Sequence, residues 1–425
     1  NAYSAAVTMI ADAGGEDFGN ITFVDSAAID FATSASSNGD LYINSSTDGT
    51  VGGNLSVTAT TGNITDTVAL AVTGTTTLVT SADNGTIALD TTTNAFTGAL
   101  TITTNDSSGT DADVTIDGGT TPLIIAASTI DGDLTLTSGN VSGITDSGTV
   151  TVGGNLSATT DANAGVINLG TMAVDGTIAL TTNSTGAATI VNDAALTFAA
   201  STVGGALTAT ATTGNITDSG ALAITGTTTL VTSADNGTIA LDTTTNAFTG
   251  ALTITTNDSS GTDADVTIDG GTTALIIAAS TIDGDLTLTS GNASGITDSG
   301  TVTVGGNLSA TTDANAGVIN LGTMAVDGTT ALTTNSTGAA TIVNDAALTF
   351  AASTVGGALT ATATTGDITD SGTLAITGAA TFKTGADGSN IVLDSSSNAY
   401  SAAVTMIADA GGEDFGNITF VDSAA

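Results

Sequence analysis

Several residue types are absent, or nearly so, from this 425-residue sequence. It has no cysteine, histidine or tryptophan, a single proline (Pro122) and a single basic residue (Lys383), and its formal charge at pH 7 is −40. These absences exclude thiol and zinc-thiolate chemistry, leave no histidine for acid–base catalysis, and remove the basic surface that nucleic acids need. We therefore expect no nucleic-acid partner. No membrane span is expected either, because no run of about 18 apolar residues occurs.

The residues that remain are those of a chain with a buried core. Only 10% are charged and 40% are hydrophobic, so the high net charge does not imply disorder. Aromatic residues make up 3%, which favours a narrow interior filled in thin layers of Ala, Val, Leu and Ile. The 54 glycines, with almost no proline, predict many tight turns between strands whose backbone N–H groups all take part in ladders.

Internal repeats dominate the sequence. The segment that begins at Asn94 returns 152 residues later at Asn246, and in altered form after another 152 residues at Asn398. Residues 1–28 are identical to residues 398–425, a spacing of 397. Because the chain does not begin with Met and has no secretion signal, we expect both ends to be arbitrary cuts. We divide residues 1–425, taken as one solenoid, into an irregular block (1–93), two repeat blocks (94–245 and 246–397) and the start of the next large repeat (398–425).

A shorter period lies inside each block. Glycine-led phrases such as residues 98–103 and 132–137 occur six times per block at spacings of 21 to 34, or about 25 residues each. Within a phrase, Leu100 and Ile102 alternate with threonines, as in a half-buried strand. Clusters such as residues 83–85 (Asp-Asn-Gly) predict corners with positive φ. The predicted fold is all-β: a right-handed, three-sided parallel β-helix of about 16–17 coils, forming a continuous rod without caps.

Differences between the copies test this alternation. Leu78, Leu230 and Phe382 occupy matching positions and stay apolar, whereas the next position changes from valine to Lys383 in the third copy. A lysine is tolerated only if that position faces solvent. We therefore predict that Phe382 lies inside the coil and Lys383 outside.

The sequence phrases of the predicted coils resemble the repeats of a known family. Residues 51–60 (VGGNLSVTAT), 62–66 (GNITD) and 73–78 (TGTTTL) are similar to the repeats of filamentous-haemagglutinin-type exoproteins and other giant bacterial surface adhesins. The resemblance covers essentially the whole chain. It implies a right-handed parallel β-helix, export across a bacterial envelope and a role in adhesion, aggregation or fibre formation. It carries over no catalytic residue, because the repeat region of that family has none.

Two Asp-rich loops, residues 105–113 and 257–265, are candidate calcium sites. Carboxylates and an Asn carboxamide on a glycine-containing loop are ligands that a hard cation accepts, although the spacing is not that of an EF-hand. The opposing interpretation is a solvated loop, and both stay open at this point. The candidate metal ligands are Asp106, Asp111, Asp113, Asp258, Asp263 and Asp265.

Aspartates also recur in Ile-Thr-Asp phrases. Paired carboxylates can indicate a glycosidase, but Asp also closes turns by accepting hydrogen bonds from nearby backbone, and an active site is normally unique rather than repeated. We therefore expect no catalytic residue, no enzyme activity and no required cofactor, with calcium as the one candidate ion. The recurring aspartates are Asp66, Asp146, Asp218, Asp298 and Asp370.

Together these features predict an extracellular or cell-surface fibre or adhesin stalk, in which a stiff solenoid acts as a spacer. The expected partners are further copies of the repeat end to end. Two to three net negative charges per coil should also make neighbouring rods repel at low salt and bundle when divalent cations bridge them. The alternative is a surface- or carbohydrate-binding module that uses the two Asp-rich loops with calcium. The sequence does not identify a host or surface ligand.

Overall fold

Short β-strands joined by tight turns make up the part of the chain that the computed structural model describes. That part comprises residues 7–9, 20–32, 40–43, 49–105, 111–257, 263–314, 316–408 and 415–423. It contains no helix, and so no helix of the length and hydropathy needed to cross a membrane. The chain divides into two units, Asn1–Thr212 and Thr213–Ala425, each built on the same plan.

The strands are two to eight residues long. In the first unit, the described residues form Val7–Met9, Ile21–Asp25, Ile29–Phe31, Asp40–Ile43, Thr50–Val51, Leu55–Ala59, Ile64–Asp66, Ala71–Val72, Thr76–Thr80, Ile87–Leu89, Ala95–Phe96, Leu100–Thr103, Val114–Asp117, Leu123–Ile125, Ser128–Ile130, Leu134–Ser138, Ile144–Asp146, Val150–Val152, Leu156–Asn163, Ile167–Val174, Thr177–Asn183, Ala188–Asn192, Leu196–Phe198, Ser201–Val203 and Leu207–Ala211. In the second unit they form Ile216–Asp218, Leu222–Ile224, Thr228–Thr232, Ile239–Leu241, Ala247–Phe248, Leu252–Thr255, Val266–Asp269, Leu275–Ile277, Ser280–Ile282, Leu286–Ser290, Ile296–Asp298, Val302–Val304, Leu308–Thr312, Ile319–Val326, Thr329–Thr334, Ala340–Asn344, Leu348–Phe350, Ser353–Val355, Leu359–Ala363, Ile368–Asp370, Leu374–Ile376, Ala380–Thr384, Ile391–Leu393, Ala399–Tyr400, Val404–Ile407 and Ile418–Phe420.

Strands pair in parallel with their counterparts one turn away. Leu134 pairs with Leu156, which in turn pairs with Ile178. One turn contains three strands, for example Leu134–Ser138, Ile144–Asp146 and Val150–Val152. The chain is therefore a parallel β-solenoid of about 16 turns of about 22 residues, which confirms the predicted fold class.

The turns are shorter than the six-phrase count predicted, and the second unit has seven per 152-residue period. The glycine-led phrases do not all lie on one face. The strand of Leu100 pairs with Thr76–Thr80, whereas the strand of Leu134 belongs to a different face and pairs with Val114–Asp117. A spacing of 34 residues between two phrases is thus one whole turn plus a step to the next face. The seven pairings are Leu252 with Ile277, Ile277 with Asp298, Ile296 with Ile319, Leu321 with Ile342, Ile342 with Ala361, Ala361 with Phe382, and Phe382 with Met406.

In each unit the core consists of inward-facing side chains that alternate along the strands with outward-facing ones. Leu134 and Leu136 are buried, while Thr135 and Thr137, which alternate with them, are partly exposed. The prediction for the third copy is confirmed, since Phe382 is fully buried and Lys383 is exposed. Hydrophobic burial and axial backbone ladders therefore stabilise each turn through its two neighbours.

Tight corners depend on residues that tolerate positive φ. Asn84, in the predicted Asp-Asn-Gly corner, has φ of 61°. Gly143 has φ of +66°, and a Cβ at that position would lie 1.7 Å from the backbone oxygen of Val166. Gly295 repeats this geometry in the second unit, with a distance of 1.8 Å to the backbone oxygen of Val318. Only glycine fits such a close approach between backbones.

Candidate functional site

The two Asp-rich loops are only partly described. Asp106 and Asp258 lie outside the described residues, whereas Asp111 and Asp263 are exposed. Within the described ranges, no group of three His, Cys, Asp or Glu side chains could hold a metal ion. Calcium binding at these loops therefore stays a prediction.

The other two candidate ligands, Asp113 and Asp265, belong to a repeated hydrogen-bond chain that we call the corner column. The Oδ1 atom of Asp113 accepts the backbone N–H of Asp133 at 2.8 Å, Asp133 accepts that of Asn155 at 2.7 Å, and Asn155 accepts that of Thr177 at 2.8 Å. Each acceptor thus binds the equivalent amide one turn along. The second unit repeats the column through Asp265, Asp285, Asn307 and Thr329, at 2.7, 2.6 and 2.8 Å.

Sequence reasoning missed the corner column, although its signal is visible. Its members directly precede the first inward-facing residue of a strand, as Asp133 precedes Leu134 and Asn155 precedes Leu156. A short side chain at that point reaches the next amide along the axis. For Asp113 and Asp265, one carboxylate oxygen therefore has a structural role.

The Ile-Thr-Asp aspartates fall into two environments. In the first, Asp66 accepts a hydrogen bond from the carboxamide of Asn94 at 2.7 Å and another from the backbone N–H of Asp90 at 3.1 Å. Burial raises the pKa of Asp66, and the hydrogen bond from Asn94 opposes that shift. The same carboxylate–carboxamide contact recurs between Asp218 and Asn246 at 2.6 Å and between Asp370 and Asn398 at 2.5 Å.

In the second environment, the aspartate lies against a strand irregularity. Asp146 accepts the backbone N–H of Gly170 at 2.7 Å and also contacts the Thr171 hydroxyl. Asp298 makes the matching bonds to Gly322, at 2.8 Å, and to Thr323. In both environments these aspartates accept hydrogen bonds from backbone amides, hydroxyls or carboxamides. Such bonds are typical of aspartates that close turns.

The irregularity beside Asp146 also forms a shallow surface depression. The strand register shifts between Leu169 and Met172, and the depression of about 250 Å³ is lined by Gly170, Thr171, Met172 and Asp193 among others. An equivalent depression of about 260 Å³ surrounds Met324 in the second unit. The residues that line each depression supply threonine hydroxyls, one aspartate carboxylate and the apolar side chains of a methionine and a valine.

Like charges accumulate along one side of the turns. Burial raises the pKa of Asp117, the negative charges of Asp161 and Asp90 raise it further, and a hydrogen bond from Gly119 opposes the shift. In the second unit burial likewise raises the pKa of Asp269. This surface repels other anions and attracts cations.

Fully buried asparagines form a further repeated feature that the sequence reasoning missed. The Oδ1 atom of Asn344 accepts the Val326 N–H at 2.8 Å, and its Nδ2 donates to the oxygens of Val326 at 3.0 Å and Ala347 at 2.7 Å. Asn192 makes the corresponding bonds in the first unit. The available signal is an Asn at an inward position of the alternating phrase ATIVN.

Comparison with known proteins places these repeats in a family. Repeats of unknown function (DUF5649) match residues 18–103, 185–255 and 337–407, which are 86, 71 and 71 residues and together 228 of the 425. No curated protein and no solved structure matches the chain. These comparisons give no evidence for the family of filamentous-haemagglutinin-type adhesins, whose repeats the coil phrases resemble. By its sequence, the chain belongs to the DUF5649 repeat family.

Proposed function

We propose that this chain is an extracellular structural fibre or adhesin stalk, a non-enzymatic β-solenoid that spaces a distant tip from a surface. The observation that carries the proposal is the exact recurrence of structural bonds along the axis. The corner column and the buried asparagine bonds repeat at the same positions in both units. Catalysis depends on a group whose surroundings differ from those of its copies, whereas mechanical continuity depends on sameness.

The charge distribution supports the same role. A formal charge of −40 with one basic residue keeps neighbouring fibres apart at low salt, while axial ladders join turn to turn. The cell-surface location and the adhesin assignment are supported by the resemblance of residues 51–78 to exported adhesin repeats. Divalent cations between the acidic sides of two fibres would then regulate bundling.

The test is removal of one whole period, residues 246–397. The deletion joins Thr245 to Asn398, which has the same place in the turn as Asn246, so every later strand keeps its face. Seven turns at about 4.8 Å each predict a contour shorter by about 34 Å, measured by atomic force microscopy. Thermal unfolding should show little change, because each turn depends on its neighbours alone.

A matched control removes residues 246–386, which is about half a turn less. That junction turns every later strand to the wrong face, and it should lose parallel ladders and thermal stability. Equal behaviour of the two deletions, or an in-phase deletion that leaves the contour length unchanged, would contradict the spacer proposal.

The binding-module alternative predicts a different result. Asp111 and Asp263 are exposed on the two Asp-rich loops and are not members of the corner column. Asp111→Ala with Asp263→Ala should leave a spacer unaffected. Loss of binding to insoluble polysaccharide in that double variant, with contour length unchanged, would favour the binding module.

A further inference from the structure

A glycine in the middle of a strand borders each of the two depressions, which lie at Met172 in the first unit and at Met324 in the second. Gly170 and Gly322 belong to the strands Ile167–Val174 and Ile319–Val326, at the point where the register shifts. Glycine weakens the interior of a strand, because it loses more conformational freedom on folding than other residues and has no side chain to pack. Its presence there needs a local reason.

Neither backbone conformation nor crowding requires these two glycines. Neither has a positive φ. Chain neighbours aside, the atom nearest to a Cβ at Gly322 would be Oδ1 of Asp298, at 3.9 Å. For Gly170 the corresponding distance, to Oδ1 of Asp146, is 4.0 Å. Both positions thus have room for a side chain, unlike the corner glycine Gly143. What the missing side chains do is leave the two depressions open, and glycine within a strand is typical of places where a ligand approaches the backbone.

Hydrogen-bond donors around the Met324 depression are already engaged within the fold. The N–H groups of Gly322 and Thr323 donate to the carboxylate of Asp298 at 2.8 and 2.6 Å, and the Thr323 hydroxyl donates to the same carboxylate. The Thr364 hydroxyl donates to the backbone oxygen of Asp345 at 2.6 Å. The threonine oxygens and the exposed carboxylate of Asp345 can still accept hydrogen bonds. The lining therefore offers mainly acceptors to a ligand.

The Met172 depression has the same arrangement. The N–H of Gly170 and the hydroxyl of Thr171 donate to Asp146, and the Thr212 hydroxyl donates to the backbone oxygen of Asp193 at 2.8 Å. The side chain of Asp193, like that of Asp345, is exposed. Each unit therefore carries one copy of an open, acceptor-rich depression.

This lining selects one chemical class of ligand. A primary ammonium group has three hydrogen-bond donors and no acceptor, and an aliphatic stem would match the apolar methionine and valine. The formal charge of −40 repels anions and concentrates cations at the surface. A bare metal ion is less suited, because no three carboxylates or similar ligands converge in the described part of the chain.

We propose that each depression binds a primary alkylammonium group. The ammonium donates to the carboxylate of Asp345 and to the threonine oxygens, while its methylene stem packs on Met324 and Val343, and the equivalent residues of the first unit bind a second ligand in the same way. Free polyamines and lysine side chains both carry this group. The site gives the solenoid a binding activity beyond that of a spacer.

The methionines supply a direct readout, because the chain has four and two of them line the depressions. With methionine methyl groups labelled with carbon-13, butylamine at neutral pH should shift the NMR signals of Met172 and Met324 saturably, with a millimolar dissociation constant typical of one exposed ion pair and a small apolar contact. Met9 and Met406 serve as internal references. Butanol, which lacks the charge, and ammonium chloride, which lacks the stem, should each bind at least about fivefold more weakly. Equal shifts with butanol would overturn the proposal.

Charge-matched variants test the carboxylates. Asp193→Asn with Asp345→Asn should weaken butylamine binding about fivefold. Asp175→Asn with Asp327→Asn removes the same charge from exposed positions outside the lining and should leave the affinity unchanged. Equal affinity in the two double variants would show that the general field of the chain, and not the depression, attracts the amine.

Filling the depressions tests their shape. Gly170→Val with Gly322→Val should abolish butylamine binding, and thermal unfolding should be unchanged or shifted upward, because there is room for the side chain and valine favours strands. Binding that survives in this folded variant would refute the site.

Two further ligands distinguish the sources of the ammonium group. Tighter binding of cadaverine than of acetyl-lysine methylamide would assign the site to free polyamines, and the reverse order would assign it to lysine side chains of a protein partner. Failure of both to bind would overturn the proposal. Because these experiments measure ligand binding and not contour length, their failure leaves the spacer proposal intact.

Discussion

Replacing the buried Asn344 with leucine should open the turn that contains it. Three backbone groups lose their partner in Asn344→Leu: the N–H and C=O of Val326 and the C=O of Ala347. Leucine has a similar size and fits an apolar column, so the variant separates the loss of hydrogen bonds from the loss of volume.

The expected cost follows from those three groups. A buried backbone group left without a hydrogen bond costs about 1–3 kcal/mol. The Val326 groups are buried and the bond to the Ala347 oxygen is only partly buried, so the gross cost is about 4 kcal/mol. Burial of the leucine side chain offsets about 1 kcal/mol of this, which leaves a net local destabilisation of about 3 kcal/mol.

Hydrogen exchange is the appropriate assay, because long repeat arrays do not unfold in one cooperative step. The Val326 amide should exchange about 100-fold faster in Asn344→Leu, the equivalent of about 3 kcal/mol. Asn192→Leu should give the same acceleration at Val174 in the first unit, since its bonds are the same. Thr341→Ala, on the same strand but partly exposed, serves as the control.

A small effect would refute this reasoning. If exchange at the Val326 amide rises less than threefold in Asn344→Leu, the buried carboxamide contributes nothing that an apolar side chain cannot replace. If acceleration extends equally to turns far along the axis, the nearest-neighbour description of stability is wrong.

Four further outcomes are expected. Because burial raises the pKa values of Asp66, Asp117 and Asp269, the folded chain binds more protons than the unfolded chain. The thermal midpoint should therefore rise as the pH falls through those raised pKa values to below 3.8, and its pH dependence should be flatter in the corresponding Asp→Asn variants. A midpoint that falls across this pH range, with the same pH dependence in the Asp→Asn variants, would contradict the prediction. Tyr400→Phe should raise stability by about 1 kcal/mol in denaturant unfolding, since it removes a buried hydroxyl without a partner, and a loss of stability would show that the hydroxyl is bonded. If the two Asp-rich loops bind calcium, CaCl₂ should raise the melting temperature and EDTA should lower it, whereas an unchanged melting curve would rule out the calcium site. If divalent cations bundle the solenoids, light scattering should rise during a CaCl₂ titration, and scattering that stays flat would count against bundling.

The fold could be predicted because its determinants are local and repeated. Alternation of Leu100 and Ile102 with threonine defines the two sides of a strand, and the change to Lys383 identifies the outer side. The predicted number of turns per period was wrong because similar phrases lie on different faces, as those of Leu100 and Leu134 do. Which face a phrase occupies depends on pairing with a strand about 22 residues away, and the residues of the phrase itself do not indicate that partner.

The polar features were harder to assign. Asp113 was recognised as a potential cation ligand from its side-chain chemistry, yet its Oδ1 atom accepts the amide of Asp133. The sequence shows that a carboxylate is present, but not which amide lies one turn above it. Asn344 was overlooked for the same reason, since its partners Val326 and Ala347 become its neighbours only when the turns stack.

The whole number of turns in each 152-residue period has a genetic consequence. Recombination between misaligned copies adds or removes one period, and the strands on both sides of the new junction meet on their original faces with their original partners. Any crossover that added a fraction of a turn would place apolar side chains in water and would be eliminated by selection. Solenoids of different lengths can therefore arise in a lineage by unequal exchange, without any compensating point mutation.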